Sequence, residues 1–395
     1  MSHNGNHNIT PTPTNIPQRH IHIIADKSAL NTGSNDLARQ HESSQTGCTN
    51  QPELRHYLIK QQLINELCDQ NKYATLSETD ELADIDIVCK LHNAQYIEFL
   101  RDAHSDGKSQ RDKDWYYPGT DSLLPYNIHV GVVHQSLINK QPIYKRAGLY
   151  AKDNMTPILS HTYVQVMRSA NAAIQSAQYL LHNKSSIVYA LCTSPGHHCD
   201  GLRYSGYCFI NNAALSADIL SQNNTYRVGV LDIDYHAGDG TQSMFYHRND
   251  IITCSIHADP TYDYPSYSGY SDEVGTGQGI NCHLNLPLPP KANYNTHYKS
   301  AVNKALQFLK QHSIQYLVLA FGADSYKDDP DPSNLAGMLL DLNDYYSIGA
   351  LIRNEIPDIG IVITQEGGYN LDAVPTIVSN LLKGLSGIHY TVDNQ

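Results

Sequence analysis

Four stretches of this 395-residue chain put ionisable side chains where apolar runs stop. RVGVLDIDYHAGDG carries Asp232, Asp234, His236 and Asp239; TSPGHHCDG carries His197 and His198; FGADSYKDDP carries Asp324; QEGGYN carries Tyr369. Burying so many ionisable groups is costly unless they are paired or hold a metal. In an extended strand Asp232, Asp234 and His236 share one face, and Asp324, arriving on another strand, could join the last two. One histidine and two carboxylates make three protein ligands and leave a position open, which is the pattern of a catalytic rather than a structural metal site. The N/O set suits Zn²⁺, one ion per chain, and Fe²⁺ could occupy the same ligands. Asp234 and His236 could instead merely cap the next helix and bond each other. The coincidence with Asp324 and a tandem histidine at other strand ends argues for the metal.

Two adjacent imidazoles can divide labour, one as base toward water and one as acid toward a leaving group. Each needs a carboxylate to fix its tautomer, and Asp232 and Asp239 are spare carboxylates in the right neighbourhood. Tyr369, on a flexible Gly367-Gly368 pair, could bring a phenol toward a developing oxyanion. A metal in the site would activate water and polarise the carbonyl, so the parts describe metal-assisted amide hydrolysis.

Elements must bring these groups together. Strand-like runs (SIVYALC, RVGVLDID, IITCSIH, YLVLAFGAD, GIVITQEGG) alternate with amphipathic helical ones (NNAALSADILSQ, YKSAVNKALQFLKQ, LNDYYSIGALIRNE), and Leu58, Leu63, Ile64 and Leu67 fall at helical spacing. Continuous apolar strands in a βα alternation predict one α/β domain, with a mostly parallel sheet flanked by helices. The polar clusters follow strand C-termini, where open α/β sheets bind ligands. Residues 1–53, rich in Asn, Thr, Ser, Pro, Gln and His, read as a disordered tail with one short strand at HIHIIAD, and residues 54–390 as the catalytic domain.

The formal charge of −12 and the lack of a Lys/Arg run argue against a nucleic-acid partner and favour cationic substrates. Eight cysteines without a Cys-x-x-Cys pair read as reduced thiols in the cytoplasm or another reducing compartment. No signal peptide and no apolar run of about 18 residues is present, so no membrane partner is expected, although secretion without a cleaved signal is left open.

The motifs SPGHHCDGLRYSGYCFINNAALSA, VLDIDYHAGDGTQSMFY, GADSYKDDP and QEGGYNL strongly resemble the zinc-dependent histone deacetylase and acetylpolyamine amidohydrolase family, which has the arginase-like α/β fold. SIHADP…YDYP and GTGQGINCHLNLPLP look most like its bacterial acetylpolyamine amidohydrolase branch. The resemblance implies that Asp234, His236 and Asp324 bind zinc, that Asp232 and Asp239 back His197 and His198 respectively, and that Tyr369 is the catalytic tyrosine. It implies aromatic channel walls at Tyr207 and Tyr264 beside Gly206, and a structural K⁺ at Ser255 and the backbone of Asp232 and Ile256. Asp331, seven residues after Asp324, matches a position that is acidic in a polyamine-selective branch. Against this stands YKRAG, where Lys145 and Arg146 replace expected negative charge; a simple turn before Pro332 would also explain Asp331.

The substrate is then acetyl-lysine in proteins or an acetylated polyamine, and a homo-oligomer would depend on loops before residue 160. Two alternatives are a binuclear-manganese ureohydrolase of arginase type and a catalytically silent scaffold. The first needs carboxylates where Gly238 and Gly322 stand; the second would have lost a Tyr or His, and none is lost.

Overall fold

The computed structural model describes residues 16–27, 51–69, 72–110, 123–131, 138, 140–222, 224–332 and 336–388. Eight strands form one sheet: β1 (Ile21–Asp26), β2 (Ala74–Thr79), β3 (Ile187–Leu191), β4 (Val228–Asp232), β5 (Ile251–Ala258), β6 (His283–Leu288), β7 (Tyr316–Phe321) and β8 (Gly360–Gln365). Their order is β2-β1-β3-β8-β7-β4-β5-β6, and every pairing is parallel. The helices of eight residues or more, with one shorter helix, are α1 (Pro52–Glu66), α2 (Ala94–Gln110), α3 (Ile143–Tyr150), α4 (Thr162–His182), α5 (Asn212–Ser221), α6 (Asp239–Phe245), α7 (Lys299–Gln311), α8 (Leu342–Glu355) and α9 (Val374–Ser386).

Alternate residues of each central strand serve opposite faces, and both faces are covered. Ile187, Tyr189, Leu191, Leu317, Leu319, Ile361 and Ile363 pack with α1, α7, α8 and α9. Val188, Val228, Val230, Val318 and Val362 pack with α4 and α5. A separate apolar cluster built from α2, α3, α4 and the segment Cys199–Leu215 flanks this core. Pro287 lies on the edge strand β6, where a missing ladder donor costs least.

Two expectations change. The strand at HIHIIAD is β1, and it pairs with β2 on one side and β3 on the other. The boundary at residue 53 therefore does not hold for Ile21–Asp26, which complete the sheet; residues 1–15 and 28–50 of the expected tail lie outside the described residues. On α1 the buried stripe is Leu54, Ile59 and Leu63, followed by Leu67, whereas Leu58 is half-buried and Ile64 exposed. The helix is packed between α9 and the sheet, so its inward face is wider than one apolar stripe and includes Arg55 and His56.

Candidate active site

Four neighbouring strands, β3, β8, β7 and β4, deliver the chemistry from their C-terminal ends. β4 stops at Asp232, so Asp234 and His236 do not continue an extended strand. The chain curls instead: Asp232 Oδ1 accepts from Asp234 N at 3.0 Å, and Asp234 Oδ1 accepts from His236 N at 2.9 Å. Two successive side-chain-to-backbone turns of this kind are what Asp offers in place of ladder bonds. The curl separates the three groups expected on one face, sending Asp232 toward His197 and the other two toward Asp324.

His236 Nδ1 lies 3.3 Å from Asp234 Oδ1 and 3.4 Å from Asp324 Oδ2. The donor atoms of Asp234, His236 and Asp324 all fall within 4.8 Å of one another, and all three residues are buried. Backbone N–H groups hold the far carboxylate oxygens: Tyr235 N donates to Asp324 Oδ1 and Gly367 N to Asp234 Oδ2, each at 2.9 Å. Asp324 Oδ2 is buried with no hydrogen-bond partner. Burial and the neighbouring Asp234 charge push Asp324 up to about 8. A buried orphan oxygen in a like-charged pair fits a divalent cation. The neighbours leave no room for more ligands: a Cβ on Gly322 would come 1.9 Å from Asp234 Oδ2, and one on Gly238 would come 2.2 Å from Asp232 Oδ2.

The tandem histidines sit beside this cluster, with ring centroids 4.0 Å apart. His197 Nδ1 is 2.9 Å from Asp232 Oδ2, and His198 Nδ1 is 2.7 Å from Asp239 Oδ1. Each Nε2 is thereby left for other work. Burial disfavours the imidazolium of His197, but Asp234 and Asp232 outweigh it and hold His197 up to about 10. Burial and the neighbouring His197 push His198 down to about 3, and Asp239 offsets only part of that. Their surroundings thus push the two rings in opposite directions.

A cavity of about 270 Å³ opens onto these groups. His197, His198, Asp234, His236, Asp324, Tyr369, Gly206, Tyr207, Tyr264 and Asp331 all line it, whereas Asp232 and Asp239 stand behind their histidines. Tyr264 meets His198 edge-on at 4.8 Å, and Tyr207 meets Tyr369 at 6.3 Å between ring centroids. Gly206 and Tyr207 are both left-handed, with φ of 54° and 64°. Asp153 Oδ2 and Thr156 Oγ1 accept their N–H groups at 2.7 and 3.1 Å, which offsets a strain of order 1–3 kcal/mol for the tyrosine. A side chain on Gly206 would meet the His198 ring at 2.3 Å. Asp331 Oδ2 is 3.6 Å from His236 Nε2. Lys145 and Arg146 lie on α3 away from the cavity. Ser255 pairs in register with Asp232, and its hydroxyl is taken up by His257 Nδ1 at 2.7 Å and by Gly238 N at 3.3 Å; Ile256 follows it in β5.

Several residues here escaped the sequence reading. Lys152 Nζ donates to Asp239 Oδ2 at 2.7 Å and to the His198 carbonyl at 2.6 Å. Asp153 and Asp263 add carboxylates to the cavity wall, and Tyr235 Oη donates to Asp263 at 2.9 Å. Arg55 donates to the carbonyls of Gly368 and Thr193 beneath Tyr369. Nothing in AKDNMTP or in YDYP beyond the presence of Asp marks these positions, because their neighbours come from other parts of the chain.

The histone deacetylase domain matches residues 52–385. The chain belongs to that family. Acetylpolyamine amidohydrolase 2 of Pseudomonas aeruginosa is 33% identical over 301 residues, covering 76% of this chain and 82% of that protein. Acetylpolyamine amidohydrolase of Burkholderia pseudomallei is 31% identical over 302 residues, covering 76% and 83%. The crystal structure of acetylpolyamine aminohydrolase from Burkholderia pseudomallei superposes with a TM-score of 0.74 at 27% identity, over 85% of this chain and 90% of that one. An HDAC homolog complexed with SAHA shares the fold at a TM-score of 0.68 and 19% identity, over 94% and 86% of the two chains. This member of the histone deacetylase family is thus an enzyme of the amidohydrolase class. Within it the seven described cysteines are free, and no described helix is long and apolar enough to cross a membrane.

Proposed function

We propose that this member of the histone deacetylase family is a zinc-dependent deacetylase of small cationic acetyl-amines, acetylated polyamines foremost, with acetyl-lysine as the poorer substrate. The observation that carries the choice is Asp331, a partly buried carboxylate in the cavity wall beside His236, accompanied there by Asp153 and Asp263. A carboxylate at about 5 Å from a second ammonium gives an attraction of roughly 3 kcal/mol at an effective dielectric near 20, before desolvation. The relatives named acetylpolyamine amidohydrolase support the same reading.

Asp234, His236 and Asp324 would hold the metal, one ion per chain, with zinc favoured by the N/O donor set and Fe²⁺ the alternative. When bound, it supplies Lewis acidity for water and carbonyl. The chain's own residues do the rest. His197 and His198, with each Nδ1 committed to a carboxylate, relay protons through Nε2 between the attacking water and the departing amine. Tyr369 stays protonated, since burial and then Asp331 push its phenol well above the usual value, and donates to the tetrahedral oxyanion. Tyr207 and Tyr264 flank the alkyl chain beside Gly206. Ser255 with the backbone of Asp232 and Ile256 would hold a structural K⁺. A binuclear site of arginase type is disfavoured by the Gly238 and Gly322 contacts, which leave no room for two further carboxylates.

The test is kcat/KM measured side by side on acetylated polyamines and acetyl-lysine peptides with zinc-loaded protein. A preference for the polyamines of at least tenfold is expected. A preference for neutral-flanked acetyl-lysine peptides would assign the enzyme to protein substrates, and no turnover of either would leave a silent scaffold.

A further inference from the structure

Glu366 is fully buried, next to the catalytic segment but outside the cavity lining. Its Oε2 accepts from Gly196 N at 2.6 Å and from His197 N at 3.1 Å, and its Oε1 accepts from Thr364 Oγ1 at 2.8 Å. Among the described residues no Lys, Arg or His side chain makes an ion pair with it within 4.0 Å. The His197 ring and the Cys208 thiol each offer an atom within 4.8 Å of it, and the thiol supplies no charge, because burial pushes it well above its usual value. A carboxylate is an expensive way to satisfy two backbone donors in such a place.

The donors it satisfies are those of the tandem-histidine loop. Pro195 has no N–H, and Gly196 has no room for a side chain, since a Cβ would come 2.5 Å from Asn212 N and 2.6 Å from the Ile210 carbonyl. The N–H groups of Gly196 and His197 thus share one acceptor, Glu366 Oε2, and it comes from the Tyr369 loop. The same short segment binds other parts of the site. Gly367 N holds Asp234, the Gly368 carbonyl accepts from Arg55, and Tyr369 N donates to Asp329 at 2.7 Å.

We propose that Glu366 is a positioning residue of the hydrolysis, whose carboxylate fixes the loop bearing His197 and His198 against the loop bearing Tyr369. It acts through those side chains and touches no substrate. Its work is geometric: an acceptor oxygen at this point sets the separation between the proton-relay histidines and the phenol donor. Loss of that acceptor leaves two buried N–H groups unpaired and lets the loops relax by fractions of an ångström, and a misplacement approaching 1 Å costs on the order of 10²-fold in rate. Glutamine retains the function, because its amide oxygen accepts both N–H groups while its NH₂ faces a Thr364 hydroxyl able to accept.

This inference rests on the deacetylase reading, and the experiment separates the two. Glu366→Ala and Glu366→Gln are compared with wild type for kcat and KM on an acetylated amine the wild type hydrolyses, for zinc content, and for amide hydrogen exchange at Gly196 and His197. For Glu366→Ala a kcat about 10²-fold lower is expected, with KM and zinc content within about twofold of wild type and exchange at both amides at least about tenfold faster. Glu366→Gln is expected to restore kcat and amide protection to within about fivefold of wild type. A wild-type kcat in Glu366→Ala overturns the proposal; so does Glu366→Gln that protects both amides yet is as slow as Glu366→Ala, which would make the charge, not the acceptor, the working part. If Glu366→Ala does not fold, Thr364→Val loosens the Oε1 end. Faster exchange with an intermediate kcat supports the tie, and no change in either refutes it. Absence of wild-type turnover on every acetylated amine would defeat the deacetylase reading alone, while the exchange measurement still decides whether Glu366 holds the loop.

Discussion

The Nε2 of His236 lies 3.6 Å from Oδ2 of Asp331, while Nδ1 of the same ring faces Asp234 and Asp324 at 3.3 and 3.4 Å. One imidazole therefore separates the carboxylates suited to a metal from a carboxylate in the cavity wall. Asp331 can act outward, on a substrate ammonium, or inward, by orienting His236. Asp331→Leu is expected to lower kcat/KM for acetylated polyamines about tenfold and to spare a neutral acetyl-lysine substrate. Equal losses on both, accompanied by weaker metal retention, would show the inward role instead.

Metal analysis of the purified protein is expected to give about one zinc per chain, because Asp234, His236 and Asp324 bring three candidate ligand atoms within 4.8 Å of one another. His236→Ala and Asp324→Ala should each lose tight zinc binding together with hydrolysis. Two tightly held ions per chain, or full activity after thorough chelation, would refute the single-metal site.

Tyr369→Phe removes one hydroxyl from a pocket whose walls stay in place. Zinc content and thermal stability should stay near wild type while kcat falls roughly 10²–10³-fold, the scale of losing one oxyanion donor. His198→Ala should cost at least as much through lost proton transfer. A near-wild-type kcat for Tyr369→Phe on an unactivated acetamide would remove the phenol from the mechanism.

Stability should carry its own pH signature at the junction of α1 and α4. His161 Nε2 lies 3.0 Å from Glu53 Oε1. The hydrogen bond to Glu53 raises His161; for Glu53, burial works upward but the His161 bond outweighs it and lowers it. A raised histidine contributes fully below its unfolded value and loses the contribution as pH rises through its folded value. A lowered glutamate contributes above its unfolded value and loses the contribution as pH falls through its folded value. The pair is thus worth most between about pH 4.5 and 6.5 and fades as pH rises above or falls below that window. His161→Gln should lower Tm by roughly 1–3 °C near pH 5.5 and by less at pH 8. A Tm difference independent of pH would mean the pair contributes packing only.

The sequence by itself determined the class of sheet, the ends from which the site grows and most of the side chains that meet there. Strands such as IVYAL and YLVLAF are apolar on both faces, which admits only burial between two helix layers. The clusters after them are then forced to one rim of the sheet. Local rules also explain where the strand reading stopped short, since Asp232 and Asp234 bend their own backbone through i to i+2 bonds that a period-2 pattern does not contain.

Tertiary structure alone decided the partnerships. β1 joins the sheet from the far side of a 47-residue gap to β2, because its ladder partners are β2 and β3, which no local pattern names. The Lys152 bridge to Asp239 and the His198 carbonyl, and the hold of Glu366 on Gly196 and His197, are contacts across 46 to 170 positions of chain. Side-chain type shows that such a group needs a partner. Which partner it finds depends on strand order, and strand order is set by how the whole apolar surface is best buried.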